Sequence, residues 1–105
     1  MLQHCVYLHF KPEIQDSDWT SVMEQLASLR KEVEGLIDFQ YGANLDYEQK
    51  SANYTAGFIA TFVDRQAHLE YEAHPDHIKA GNRLVEMCVG GHHGILVFDL
   101  QSGPL

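Results

Sequence analysis

The sequence predicts an α+β domain, a βαββαβ sandwich whose four-stranded antiparallel sheet carries its helices on one face. Three observations predict it. Four separate stretches alternate with period two, and apolar residues spaced by three and four lie between the first and second of them. A second helical stretch, interrupted by one proline, lies between the third and fourth. Right-handed crossovers turn that order of elements into an antiparallel sheet. At 105 residues the chain is expected to form a single domain, residues 1–105.

Residues 3–10, QHCVYLHF, set His4, Val6, Leu8 and Phe10 against Cys5, Tyr7 and His9. A strand with bulky side chains on both faces is expected to be covered on both. KPEIQDSD supplies a turn, with Asp16 or Ser17 as the helix cap. From Trp19 to Val33, the residues Trp19, Val22, Met23, Leu26, Leu29 and Val33 make one apolar stripe, which Gly35 ends. LIDFQYGANL reads as the second strand and DYEQKSAN as a polar connection. In YTAGFIATFV, the third strand, Tyr54, Ala56, Phe58, Ala60 and Phe62 share a face. Asp64 caps a helix through RQAHLEYEA, Pro75 breaks it, and DHIKAGNRLVEMCV continues as a further helix. Gly90, Gly91 and Gly94 set His92 and His93 in a loop before the last strand, ILVFDL.

With the helices on one face, the other is expected to show Cys5, Tyr7, His9, Ile59, Phe39 and Tyr41. An apolar face of that extent does not stay in water. Pairing two sheets face to face in a symmetric homodimer is the economical solution.

The formal charge of −8 argues against nucleic acid, whose phosphates such a surface repels. No apolar run is long enough to span a membrane, and the N-terminus lacks the pattern of a signal peptide, so a cytoplasmic protein is expected. Cys5 and Cys88 read as two buried thiols rather than a disulfide. No nucleotide-binding glycine motif and no nucleophile elbow is present. Any chemistry is therefore expected to be acid/base work, without a cofactor, on a small and largely apolar molecule.

The stretch YEAHPDHIKAG holds the most chemistry. Asp76 is placed to cap the helix after Pro75, which sets His77 in its first turn. The positive end of the helix dipole there disfavours imidazolium. A neutral imidazole beside a pocket is a competent general base, and the kink folds Tyr71 back toward it. The alternative is that His74 and His77 satisfy backbone groups exposed by the proline break. His4 is either a hydrogen-bonded core residue or a pocket wall, and Asp99 either pairs with a histidine or ends its strand. H-x-x-H supplies only two of the three or four ligands zinc needs, so no metal site is expected. Cys88 has no neighbouring signature of a nucleophile.

The stretches HCVYLHFKPEI, YGANLDYEQKSANYTAGFIATF and YEAHPDHIKAG together resemble the stress-responsive dimeric α/β-barrel (Dabb) domain family, over nearly the whole chain. The resemblance implies a ferredoxin-like protomer and an obligate dimer whose two sheets form an α/β barrel. That family includes plant stress proteins and a polyketide cyclase, olivetolic acid cyclase, which closes a linear tetraketide thioester by an intramolecular aldol reaction. Likeness to the cyclase implies Tyr71 and His77 as the acid/base pair. His77 would remove a proton between two carbonyls while Tyr71 holds the carbonyl or enolate oxygen. It also implies a pocket bordered by His4, Val6, Leu8, Phe58 and Ala60, with Asp99 matching an acidic residue of the last strand. Two departures stand out: Ala56 replaces a further pocket histidine, and the loop VGGHHG is longer than its counterpart. The expectation is a cytoplasmic, stress-responsive homodimer with a small pocket, acting as a cyclase-like acid/base enzyme or, alternatively, as a non-catalytic binding or structural dimer. An oxygenase or haem-degrading role would rest on barrel architecture alone.

Overall fold

The computed structural model describes residues 1–103. Strand β1 spans Leu2–Leu8, helix α1 Asp16–Ala27, strand β2 Leu36–Ala43 and strand β3 Ala56–Phe62. Helices α2 (Arg65–Ala73) and α3 (Pro75–Met87) then precede strand β4, Ile95–Gln101. The strands lie in the order β2-β3-β1-β4, and every neighbouring pair is antiparallel. Val6, Leu8, Phe58, Ala60 and Phe62 project from the sheet onto Trp19, Val22, Met23 and Leu26 of α1, Tyr71 of α2 and Leu84 of α3. The expected ferredoxin-like sandwich is thus present, with the core between one sheet face and the helices.

Local chemistry moves several boundaries. Gln15 caps α1, in place of Asp16 or Ser17: its N–H donates to Asp18 Oδ2 at 2.9 Å. Asp16 is drawn into the first turn because its carboxylate accepts the Trp19 indole N–H at 3.1 Å. The apolar stripe outruns α1, and a 3-10 turn at Ser28–Lys31 carries it to Leu29. Gly35 follows at a tight approach, where a Cβ would stand 2.3 Å from the Ala67 Cβ.

A β-bulge corrects the reading of the second strand. Leu36 faces Phe62 but Asp38 faces Thr61, so Ile37 has no partner of its own and the alternation inverts beyond it. Phe39 and Tyr41 pair with Ala60 and Phe58 and therefore lie on the helix side, not on the open face. Phe39 stacks on Phe58, ring centroids 4.9 Å apart. The open face keeps Tyr7 and Ile59 and adds Phe98 and Leu100, both at least half exposed.

Asp64 caps α2 as expected, accepting the Ala67 N–H at 2.9 Å. The cap of α3 is His74 rather than Asp76, because Pro75 occupies the first helical position and pushes Asp76 inside the helix. At the far edge of the sheet the helices do not reach across β4. Val97, on the helix side by its pairing with Val6, is left partly exposed. That uncovered strip of β4 makes one wall of the site.

Candidate functional site

A cavity of about 440 Å³ opens between the β1–β4 edge of the sheet and α3. Its walls include His4, Val6, Phe58 and Val97 from the strands, Glu72 and His77 from the broken helix, and His92 from the loop before β4. A larger concavity of about 560 Å³ runs along the sheet beside β2 and β3. Among the described residues no histidine or carboxylate lines that one, so the smaller cavity is the candidate site.

The proline break builds the helical wall. Pro75 has no N–H to continue α2, so carbonyls at its end lose their usual donors. Asp76 N–H turns to His74 Nδ1 at 3.1 Å, and His77 Nδ1 lies 3.2 Å from the Glu72 carbonyl. A carbonyl only accepts, so His77 Nδ1 carries the proton and Nε2 keeps its lone pair. Burial lowers the His77 pKa, while the Glu72 carbonyl and carboxylate act partly in the opposite sense. Both histidines therefore satisfy backbone groups at the break, and for His77 that bond also fixes a basic tautomer.

Tyr71 packs against His77, ring centroids 4.5 Å apart, but it is fully buried and does not reach the cavity wall. Among the described residues its hydroxyl has no hydrogen-bond partner. Burial, reinforced by the Glu72 carboxylate, raises its pKa far above the ordinary phenol value, so the group remains a donor.

His4 and Asp99 are cross-strand partners on β1 and β4, and their side chains meet at 2.6 Å from Nδ1 to Oδ1. His4 also lies 4.5 Å, centroid to centroid, from His68 of α2, which sequence reasoning passed over. Arg65 donates to His68 Nδ1. His68 Nε2 sits 2.9 Å from Glu72 Oε1 without hydrogen-bond alignment. Burial, with His4 nearby, lowers the His68 pKa. His4, His68 and Asp99 each offer a metal-ligating atom, all within 4.8 Å of one another.

Of the residues expected at a pocket, His4, Val6, Phe58 and His77 share its wall, with Asp99 bonded to His4. Leu8 and Ala60 share the sheet face with them but are sealed in the core. His68 and Glu72 were not singled out from the sequence, and His92 was placed in its glycine-bracketed loop without a part in the pocket. A signal existed for the first two, since His68, Tyr71 and Glu72 stand at helical spacing on one face of α2.

The stress responsive A/B barrel domain model matches residues 2–102. The stress-response A/B barrel domain-containing protein HS1 of Arabidopsis thaliana is 26% identical over 100 residues, covering 95% of this chain and 88% of that protein. A dimeric ferredoxin-like protein of unknown function from Jannaschia sp. CCS1 is 42% identical, with a TM-score of 0.91 over 96% of this chain and 98% of its own. A hydroxynitrile lyase from Passiflora edulis is similar in fold alone, at 14% identity and a TM-score of 0.78, covering 98% of this chain and 96% of that one.

Proposed function

The chain belongs to the stress responsive A/B barrel domain family, and on that premise we propose a cytoplasmic homodimer, paired through its open sheet faces into an α/β barrel, that performs acid/base chemistry on a small apolar carbonyl compound. The observation that carries the reading is His77 on the cavity wall, its Nε2 lone pair left by the Nδ1 bond, with the buried Tyr71 ring packed behind it and a hydroxyl that has no partner among the described residues. His77 takes the acidic proton of a carbon flanked by carbonyls. Once a small side-chain shift admits the substrate, Tyr71 donates to the developing enolate oxygen. His4, oriented by Asp99, borders the substrate along with Val6 and Phe58. An acid and a base suffice for this step, so no cofactor enters it.

Pairing through the sheet is supported by Phe98 and Leu100, at 50% and 54% exposure, on a face that also bears Tyr7 and Ile59. The dimeric description of the Jannaschia relative points the same way. A cytoplasmic setting agrees with two free, buried thiols, Cys5 and Cys88. Among the described residues no helix is long and apolar enough to cross a membrane.

A second reading, a binding or structural dimer without turnover, is favoured by the sealed Tyr71 and by the backbone bonds of His74 and His77. Incubation with β-keto thioesters and small aromatic acids separates the two, with His77→Ala and Tyr71→Phe as comparisons. Product formed by the native protein and lost in His77→Ala supports the enzyme. Ligand binding with no product in any variant supports the second reading.

A further inference from the structure

We propose that His4, His68, Asp99 and Glu72 together bind a first-row divalent transition ion such as Zn²⁺. Two imidazoles with carboxylates are the donor set such ions prefer, whereas Ca²⁺ and Mg²⁺ favour oxygen alone. The site uses neither the base His77 nor Tyr71, but it shares His4 and Asp99 with the substrate wall of the acid/base reading.

Geometry carries the first part. The ligating atoms of His4, His68 and Asp99 lie within 4.8 Å of one another, and Glu72 Oε1 is 2.9 Å from His68 Nε2. A tetrahedral ion with bonds of about 2.1 Å holds its donors roughly 3.4 Å apart. Small side-chain rotations therefore close the set around an ion.

The second, independent part is His68. Its side chain is 3% exposed, and Nε2 has no aligned hydrogen-bond partner among the described residues. A buried ring nitrogen that faces a carboxylate at 2.9 Å without an aligned hydrogen bond is uncommon, and an ion seated between the two would meet both. Asp99 and Glu72, both nearly half exposed, supply negative charge and a route from solvent.

Arg65 donates to His68 Nδ1, so the ring proton of the ion-free protein sits on Nε2. Binding moves that proton to Nδ1 and displaces Arg65 toward solvent, where 61% of its side chain is already exposed. At His4 the ion replaces the proton shared between Nδ1 and Asp99, which moves to Nε2. Arg65 and the ion therefore compete for His68.

The test uses the full chain, stripped of metal with a chelator and titrated with Co²⁺ followed by visible absorption and with Zn²⁺ followed by calorimetry. One ion per chain with micromolar affinity or better is expected. His68→Leu and Asp99→Asn should each weaken binding at least about tenfold, and Arg65→Gln should tighten it several-fold. His68→Gln serves if the leucine variant fails to fold. Absence of binding below millimolar ion overturns the proposal. So does binding that survives in the His68 variants but is lost in His92→Ala, which would place the ion on the loop.

Discussion

Replacing Tyr71 by Phe removes one oxygen and tests two claims together. That hydroxyl is wholly buried and has no hydrogen-bond partner among the described residues. An unsatisfied buried hydroxyl costs about 1–3 kcal/mol. The void left by removing it costs a few tenths of a kcal/mol at about 24 cal/mol per Å³. The variant is therefore expected to be more stable by about 1 kcal/mol, a rise in Tm of roughly 4–8 °C for a domain of this size. Calorimetry and urea unfolding at matched protein concentration measure this, since dimer stability depends on concentration. If Tyr71 donates to a ligand, the same variant loses about 1 kcal/mol of binding, or roughly fivefold in Kd. A variant destabilised by more than 1 kcal/mol would show that the hydroxyl is already satisfied in the native protein, and the reasoning would fail.

Acid is expected to destabilise the fold. Burial lowers the pKa of both His68 and His77. The unfolded chain thus takes up protons near pH 6.5 where the folded chain does not, and stability falls as pH drops below about 6.5. Urea midpoints between pH 7.5 and 5 should trace this fall, with a shallower slope in His68→Gln. Gly35→Ala places a Cβ 2.3 Å from that of Ala67 and should cost about 1–3 kcal/mol, read as a lower unfolding midpoint. Phe98→Asp puts a charge on the open face and should convert a dimer to monomer in sedimentation equilibrium. Burial pushes the Cys88 thiol up to about 11, so at pH 8 iodoacetamide should modify it far more slowly in the native than in the unfolded protein.

Patterns confined to one element were legible in the sequence. The stripe from Trp19 to Leu29, the Phe58-Ala60-Phe62 face and the Asp64 cap all follow from a fixed local period or a single side chain. What failed was decided by geometry that a period does not encode. One extra residue at Ile37 inverts the alternation of β2, so Phe39 and Tyr41 changed sides. Pro75 itself took the first helical position, which made His74 the cap and left Asp76 inside. The His4 site was legible only in half. The choice open for Asp99, histidine partner or strand end, was settled by strand register, and the approach of His68 needed the packing of α2 on β1.

The pairing of His4 with Asp99 also bears on when the site comes into being. Tyr71, Glu72, His74 and His77 lie within seven residues, and the proline break arranges them through contacts close along the chain. His4 and Asp99 are 95 residues apart, a loop whose ends meet only when the last strand docks beside the first. During synthesis the helical half can thus take shape while the other half waits for β4 to leave the ribosome. A chain that stalls before that strand docks would hold a formed helix break and no functioning pocket.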